Sequence, residues 1–388
     1  MKDPIRAMES SDRKKTIMII AGEASGDMYG AGLVREMLKL HPTLSFYGIG
    51  GKRMREEGVE LLADASHMAV VGLTEAVSKL GSILTTMTKM KRSLDERRPD
   101  LVILIDYPDF NLSIAKAASA RSIKVLYYIS PQVWAWRQGR IRQIKKTVTQ
   151  MAVILPFEVD TYRRHGFAVH YVGHPLLDMI KMNDSKQALR TNLGLAENRM
   201  TIGILPGSRL AEVKRLLPEL LRAAALLVHD FPDVQCVLPL ADTLKKSSVD
   251  EFITASGVPV RVISGRTYDV IACSDLVLVA SGTATLEVAL LKVPMVIVYK
   301  VSLLSYVIGR LIVDVKNIGL VNIIAGKTIV PELIQGEASG ERIAGEALSI
   351  LNNGERKQDM IKALAELREK LGTPGAAART AMLALDML

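Results

Sequence analysis

The feature that most constrains the fold is a unit that recurs along the chain: about five apolar residues, a short turn of small or hydroxyl-bearing residues, then a stretch with helical periodicity. It is clearest between Asp275 and Leu291. Leu276–Ala280 reads as a buried strand, Ser281-Gly282-Thr283 as a turn, and the chain from about Ala284 as a helix. Pro294–Tyr299 follows as the next strand, which completes a β-α-β unit. The loop leaving the carboxyl end of such a strand faces a crevice where ligands bind. Unpaired amides and the helix dipole make a helix start of this kind an anion site. A competing reading has Ser281 or Thr283 merely capping the helix, with Glu287 closing a capping box. That box needs its acid three residues after the cap. Glu287 lies four after Thr283 and six after Ser281, so the spacing favours a ligand. The turn then holds phosphate, and Glu287 accepts hydrogen bonds from a ribose.

The same unit repeats through both halves. Ile17–Ala21, Ser45–Ile49, Leu101–Ile105, Val125–Ile129, Met151–Leu155 and Ala168–Val172 read as strands before a polar stretch at 176–200. Thr201–Leu205 and runs at 234–240, 259–263, 276–280 and 294–299 resume the rhythm. At 388 residues the chain is long for one domain. Right-handed crossovers turn each half into a parallel sheet with helices on both faces. The expected class is α/β: two Rossmann-like doubly wound domains facing across a cleft, 16–175 and 176–365. A final helical segment, 366–388, crosses back or reaches a partner chain, which leaves a homodimer open.

Composition removes several classes. No run of 18 apolar residues occurs, since Lys300 and Arg310 interrupt the most apolar region, so a transmembrane helix is not expected. The polar first 15 residues lack the apolar centre of a signal peptide. Cys236 and Cys273 sit in apolar surroundings without motif spacing and read as core thiols of a cytoplasmic protein. His174, alone in its loop, has no second ligand at metal spacing, and no metal is expected. The net charge of +9 suits phosphate-bearing ligands or an anionic membrane surface. With 5% aromatic residues and no nucleic-acid motif, nucleic acid is not an expected partner.

Candidate site residues lie at carboxyl strand ends. Gly22-Glu-Ala-Ser-Gly-Asp27 follows the first strand and resembles a phosphate loop, although a tight turn that needs glycine accounts for it equally. Asp106 ends the strand Leu101–Ile105, ahead of a helix expected near Leu112. Asp109 or Asn111 suits the cap of that helix, and Asp106 is too early for it. A carboxylate there, among apolar residues, is a candidate general base. Trp134, Trp136, Arg137 and Arg140 follow another strand and can line a pocket. Pro206-Gly207-Ser208-Arg209 precedes a long helix; Gly207 permits close approach, and the Arg209 guanidinium can grip two diphosphate oxygens. Leu73, Val77, Leu80, Leu84 and Met87 make an apolar helical face. Packing on a sheet is the commoner use of such a face. Met68, Val70, Val71 and Ile83, with Lys79, Lys89, Lys91 and Arg92 alongside, extend it toward a membrane patch. A second such patch runs from Val301 to Ile312.

Five segments taken together resemble one family. Ala21-Gly-Glu-Ala-Ser-Gly-Asp27, Ile105-Asp-Tyr-Pro-Asp-Phe-Asn111, Ser130-Pro-Gln-Val-Trp-Ala-Trp-Arg137, Leu205-Pro-Gly-Ser-Arg209 and Ala280-Ser-Gly-Thr-Ala-Thr-Leu-Glu287 look like those of lipid-A-disaccharide synthases, in order, from about Ile17 to Glu332. The resemblance implies a GT-B fold and an inverting, metal-independent glycosyltransferase without a cofactor, peripheral to the cytoplasmic face of the inner membrane. Its implied substrates are UDP-diacylglucosamine and diacylglucosamine 1-phosphate. It implies Asp106 as base, Arg209 on phosphate, Glu287 on the ribose side and an essential Asn322. Donor contacts then fall on Gly207, Ser208, Arg209, Ser281, Gly282, Thr283, Glu287 and Asn322. Acceptor contacts fall on Gly22, Glu23, Ser25, Gly26 and Asp27. It also tips the 68–87 stripe toward lipid. Tyr107 stands where a small residue is more usual, and Val321 where proline is. Two other readings remain: a UDP-sugar 2-epimerase of the same fold, and a non-catalytic nucleotide-sugar binding protein.

Overall fold

Strands that are apolar on both faces can only be buried, so the repeated runs assemble into parallel sheets covered by helices. The computed structural model describes residues 14–65, 73–133, 139–181, 184–301 and 317–388. Its first sheet contains β1 (Thr16–Ala21), β2 (Ser45–Gly50), β3 (Glu60–Asp64), β4 (Leu101–Ile105), β5 (Lys124–Tyr128), β6 (Gln150–Val153) and β7 (His170–Tyr171). Their order is β3-β2-β1-β4-β5-β6-β7, with every pair parallel. The second sheet contains β8 (Thr201–Leu205), β9 (Gln235–Leu240), β10 (Val260–Ser264), β11 (Leu276–Ala280), β12 (Met295–Tyr299) and β13 (Glu332–Ile334). It is ordered β10-β9-β8-β11-β12-β13 and is also parallel throughout. Both sheets therefore show the doubly wound order, in which the first strand of each lies beside the fourth. Ile17–Ile20, Leu101–Ile105 and Leu276–Val279 are entirely shielded from solvent and form the two cores.

The chain divides into two compact units. The first comprises the described residues up to Ala65, Ala76–Pro175 and Pro374–Leu388, and the second comprises residues 73–75 and Leu176–Thr373. The helix Ala376–Leu385 packs against the helix Ala24–Leu40 of the first unit. Arg379 Nε donates to Val172 O at 2.8 Å, Lys124 Nζ to Met387 O at 2.6 Å and Lys15 Nζ to Leu388 O at 3.4 Å. Cys236 and Cys273 are buried free thiols, as their surroundings in the sequence suggested. Among the described residues, no helix is long and apolar enough to cross a membrane.

The helix Leu73–Arg97 divides the expected apolar stripe. Ile83, Met87, Met90 and Leu94 pack on the first core, while Leu84 is 56% exposed. The basic neighbours are partly committed inside the unit. Lys89 Nζ donates to Leu62 O at 2.8 Å, and Arg97 grips both Glu60 oxygens at 2.7 Å. Met68, Val70 and Val71 lie outside the described residues, as do the side chains of Leu73, Val77 and Leu80. Trp134, Trp136, Arg137 and most of the second stripe, 302–316, lie outside them too.

Candidate active site

In each sheet the connections diverge from a central strand pair, β1 with β4 and β8 with β11. The loops at the carboxyl ends of such a pair move apart and leave room for a ligand. Gly22, Glu23 and Asp106 in the first unit, and Gly207, Ser208, Arg209, Ser281 and Gly282 in the second, fall on these loops.

In the first unit the helix after β1 begins at Ala24, earlier than the sequence suggested. Only Gly22 and Glu23 form the loop, and Ser25, Gly26 and Asp27 belong to the first helical turn. Asp27 is buried, and its carboxylate accepts the amides of Gly51 (2.6 Å), Arg53 (3.1 Å) and Met54 (3.0 Å). It holds the start of the helix Lys52–Glu56, and we place it in the scaffold. Gly22 supports the ring of Tyr107 from the β4 loop. A Cβ on Gly22 would lie 2.8 Å from Cδ2 of that ring and closer still to Cγ and Cδ1. The missing side chain is thus what brings the β1 and β4 loops together. Gly22→Ala should destabilise the protein by about 1–3 kcal/mol in urea unfolding. Adding Tyr107→Ala should make the pair less than additive; a Gly22→Ala variant as stable as wild type would contradict this contact.

Asp106 and Tyr107 both take left-handed φ values of 47°. The next helix runs Pro108–Ser119, so it starts before Leu112, and its cap position is Tyr107. Asn111 is inside the helix rather than at its cap, and it turns its amide back to the end of β4. Asp109 pairs with Arg140 across the helix Arg140–Thr147. Burial pushes Tyr107 up to about 12, with the charges of Glu23 and Asp109 adding to the shift. Glu158, which no motif flagged, is fully enclosed nearby and accepts the Leu155 amide at 2.9 Å. Burial pushes it up to about 8, against opposing hydrogen bonds from Leu155, Ile154 and Ser130, and the Asp106 charge raises it further. Ser130 Oγ in turn lies 2.6 Å from the Tyr162 hydroxyl.

In the second unit the β8 loop turns at Gly207, whose φ of 108° suits glycine. A Cβ there would also stand 2.5 Å from Glu212 Oε2. Glu212 belongs to the first turn of the helix Leu210–Asp230 and accepts Arg209 Nη1 at 3.0 Å, which fixes the guanidinium beside the loop. Tyr299, at the carboxyl end of β12, is held above its ordinary range by burial, and then by Glu212, while Arg209 and Arg215 oppose the shift. Glu212 and Tyr299 were not read from the sequence. Their signals were the i+3 spacing from Arg209 and the strand-end position.

In the β11 loop neither Ser281 nor Thr283 occupies the cap position. The helix Thr283–Leu290 has Gly282 at its cap position, and no side chain caps it. Ser281 is tied into the sheet, its amide donating to Val298 O at 2.8 Å. Thr283 and Ala284 supply first-turn amides, which have no acceptor inside a helix. A Cβ on Gly282 would meet no atom within 4 Å, so the approach to this helix start is open. Glu287 follows one turn on and is half-buried.

Asn322 is placed differently from the other donor-side residues. It lies in the helix Leu320–Ala325 and is completely buried. Its Oδ1 accepts the amides of Ile329 (2.7 Å) and Val330 (3.1 Å), and its Nδ2 donates to Val330 O (2.9 Å) and Glu332 Oε1 (2.6 Å). Glu332 carries the link onward by accepting the amides of Ile318 (2.8 Å) and Gly319 (3.1 Å). Asn322 therefore braces the chain around the site. Among the described residues, no group of three or more His, Cys, Asp or Glu side chains is arranged to hold a metal.

Two doubly wound parallel-sheet units define an α/β protein of two Rossmann-like domains. The crystal structure of UDP-GlcNAc 2-epimerase from Neisseria meningitidis bound to UDP-GlcNAc matches 96% of this chain and 100% of its own, with a TM-score of 0.66 at 14% identity, a likeness of fold alone. The sequence narrows the class further. Residues 17–386 match the lipid-A-disaccharide synthetase family model. The lipid-A-disaccharide synthase of Syntrophus aciditrophicus is 53% identical over 96% of this chain and 98% of its own, and that of Nitrosococcus oceani is 50% identical over 96% of each. The chain belongs to the lipid-A-disaccharide synthetase family. It is a glycosyltransferase of lipid A biosynthesis, which sets aside the epimerase and non-catalytic readings.

Proposed function

We propose that the protein transfers 2,3-diacylglucosamine from UDP to the 6-hydroxyl of 2,3-diacylglucosamine 1-phosphate, with inversion at the anomeric carbon. The observation that carries the residue assignment is the placement of Asp106, Arg209 and the Ser281 turn on carboxyl strand ends at the central pair of their own sheets. Asp106 takes the proton of the 6-hydroxyl. The O6–C1 bond forms as the bond from C1 to the diphosphate breaks, and the electron pair leaves on UDP. Arg209 and the amides of Thr283 and Ala284 stabilise the charge on the departing diphosphate, a role that a metal fills in other enzymes. Gly207 and Gly282 allow close approach of the phosphates, Ser208, Ser281 and Thr283 line their loops, and Glu287 accepts from the ribose. Gly22, Glu23, Ser25 and Gly26 face the acceptor sugar or its phosphate.

Both substrates carry acyl chains that stay in a bilayer. We assign the apolar stripe read from the sequence at 68–84, of which Leu84 is exposed, to contact with the inner membrane on its cytoplasmic side. The test is release of UDP from UDP-diacylglucosamine by the purified protein. Release should require diacylglucosamine 1-phosphate and be matched one-to-one by disaccharide. Release without acceptor would overturn the assignment.

A further inference from the structure

The backbone that carries Asp106 is not in a relaxed conformation. Two successive non-glycine residues with left-handed φ cost on the order of 1 kcal/mol or more each and persist only where the surroundings hold them. Two buried side chains supply that hold. Asn111 Nδ2 donates to Ile105 O at 3.1 Å and to Asp106 O at 2.7 Å, which uses both amide hydrogens on successive carbonyls. Tyr127, on β5, donates its hydroxyl to the same Asp106 O at 2.6 Å. The Asp106 amide bonds Tyr128 O at 3.2 Å. Both peptide planes of Asp106 are thereby fixed, and with them the direction of its Cα–Cβ bond. Burial holds Tyr127 well above its ordinary range, and the Asp106 charge adds to this, so the hydroxyl remains a donor.

We propose that Asn111 and Tyr127 are positioning residues for the transfer reaction, aiming the Asp106 carboxylate by clamping its main-chain carbonyl. The inference rests on Asp106 being the base. Neither side chain needs to touch substrate. Their effect is on the geometry of proton transfer, where a displacement of about 1 Å costs on the order of 100-fold in rate.

The decisive variant is Tyr127→Phe, which keeps the ring and removes one oxygen. Asn111→Asp keeps the shape of the side chain and removes both donors. In Tyr127→Phe, kcat should fall about 10- to 100-fold, while KM for each substrate and UDP affinity stay within about threefold. In an Asp106→Asn background, Tyr127→Phe should leave the residual rate unchanged, because the group being aimed is gone. A general loss of structure would instead lower the residual rate and donor affinity together, and would overturn the inference. If Asp106→Asn abolishes turnover but Tyr127→Phe keeps the wild-type kcat, the inference fails and the base assignment stands. If Asp106→Asn retains turnover, the base assignment fails and takes the inference with it.

Discussion

Asp106→Asn is expected to lower kcat by about 10²- to 10⁴-fold, the range over which a positioned general base acts. The substitution preserves shape and removes the only atom type able to accept the proton of the 6-hydroxyl. Arg209, Gly282 and Glu287, which we propose hold the donor, belong to the second unit and Asp106 to the first. UDP affinity measured by calorimetry should therefore remain within about twofold of wild type. The main-chain bonds that hold residue 106 do not involve its carboxylate, so the fold should survive the change. Turnover at the wild-type rate would remove Asp106 from its role.

Arg209→Ala should raise the dissociation constant for UDP by about 10- to 100-fold. That corresponds to the loss of charge-assisted hydrogen bonds of about 1.5–3 kcal/mol. The pairing with Glu212 shapes the effect. With the guanidinium gone, a carboxylate is left beside the diphosphate and adds repulsion. The double variant Arg209→Ala/Glu212→Gln should recover part of the lost affinity. Unchanged UDP binding in Arg209→Ala would exclude the guanidinium from the phosphate site.

The sequence discloses what depends on local periodicity. β4, β8 and β11 match their apolar runs residue for residue, because a strand buried on both faces has nothing but apolar positions. β3 carries no such run. It is an edge strand, half-buried, with Glu60 and Asp64 at its ends. β13 is three residues long, too short for a pattern. Helix starts were read late at Ala24 and Pro108, since a glycine-rich turn and an acidic turn look like loops in one dimension. The positions of Asp106, Arg209 and the Ser281 turn after their strands were legible, because each follows an apolar run that the sequence marks. A side chain acting at a distance along the chain was not legible. Asp27 bonds to Gly51, Asn322 to Glu332, and Tyr127 to Asp106, and no spacing rule connects such partners.

Pro374–Leu388 completes a unit whose other parts are made first. During synthesis the first sheet emerges from the ribosome well before Ala376–Leu385, and the face of Ala24–Leu40 that receives this helix waits for it. The second unit, nearly all of it the stretch Leu176–Thr373, can mature while the first still waits. A chain stopped before Ala376 would thus carry a finished second unit and a sticky, unfinished first one, an obvious substrate for chaperones and proteases.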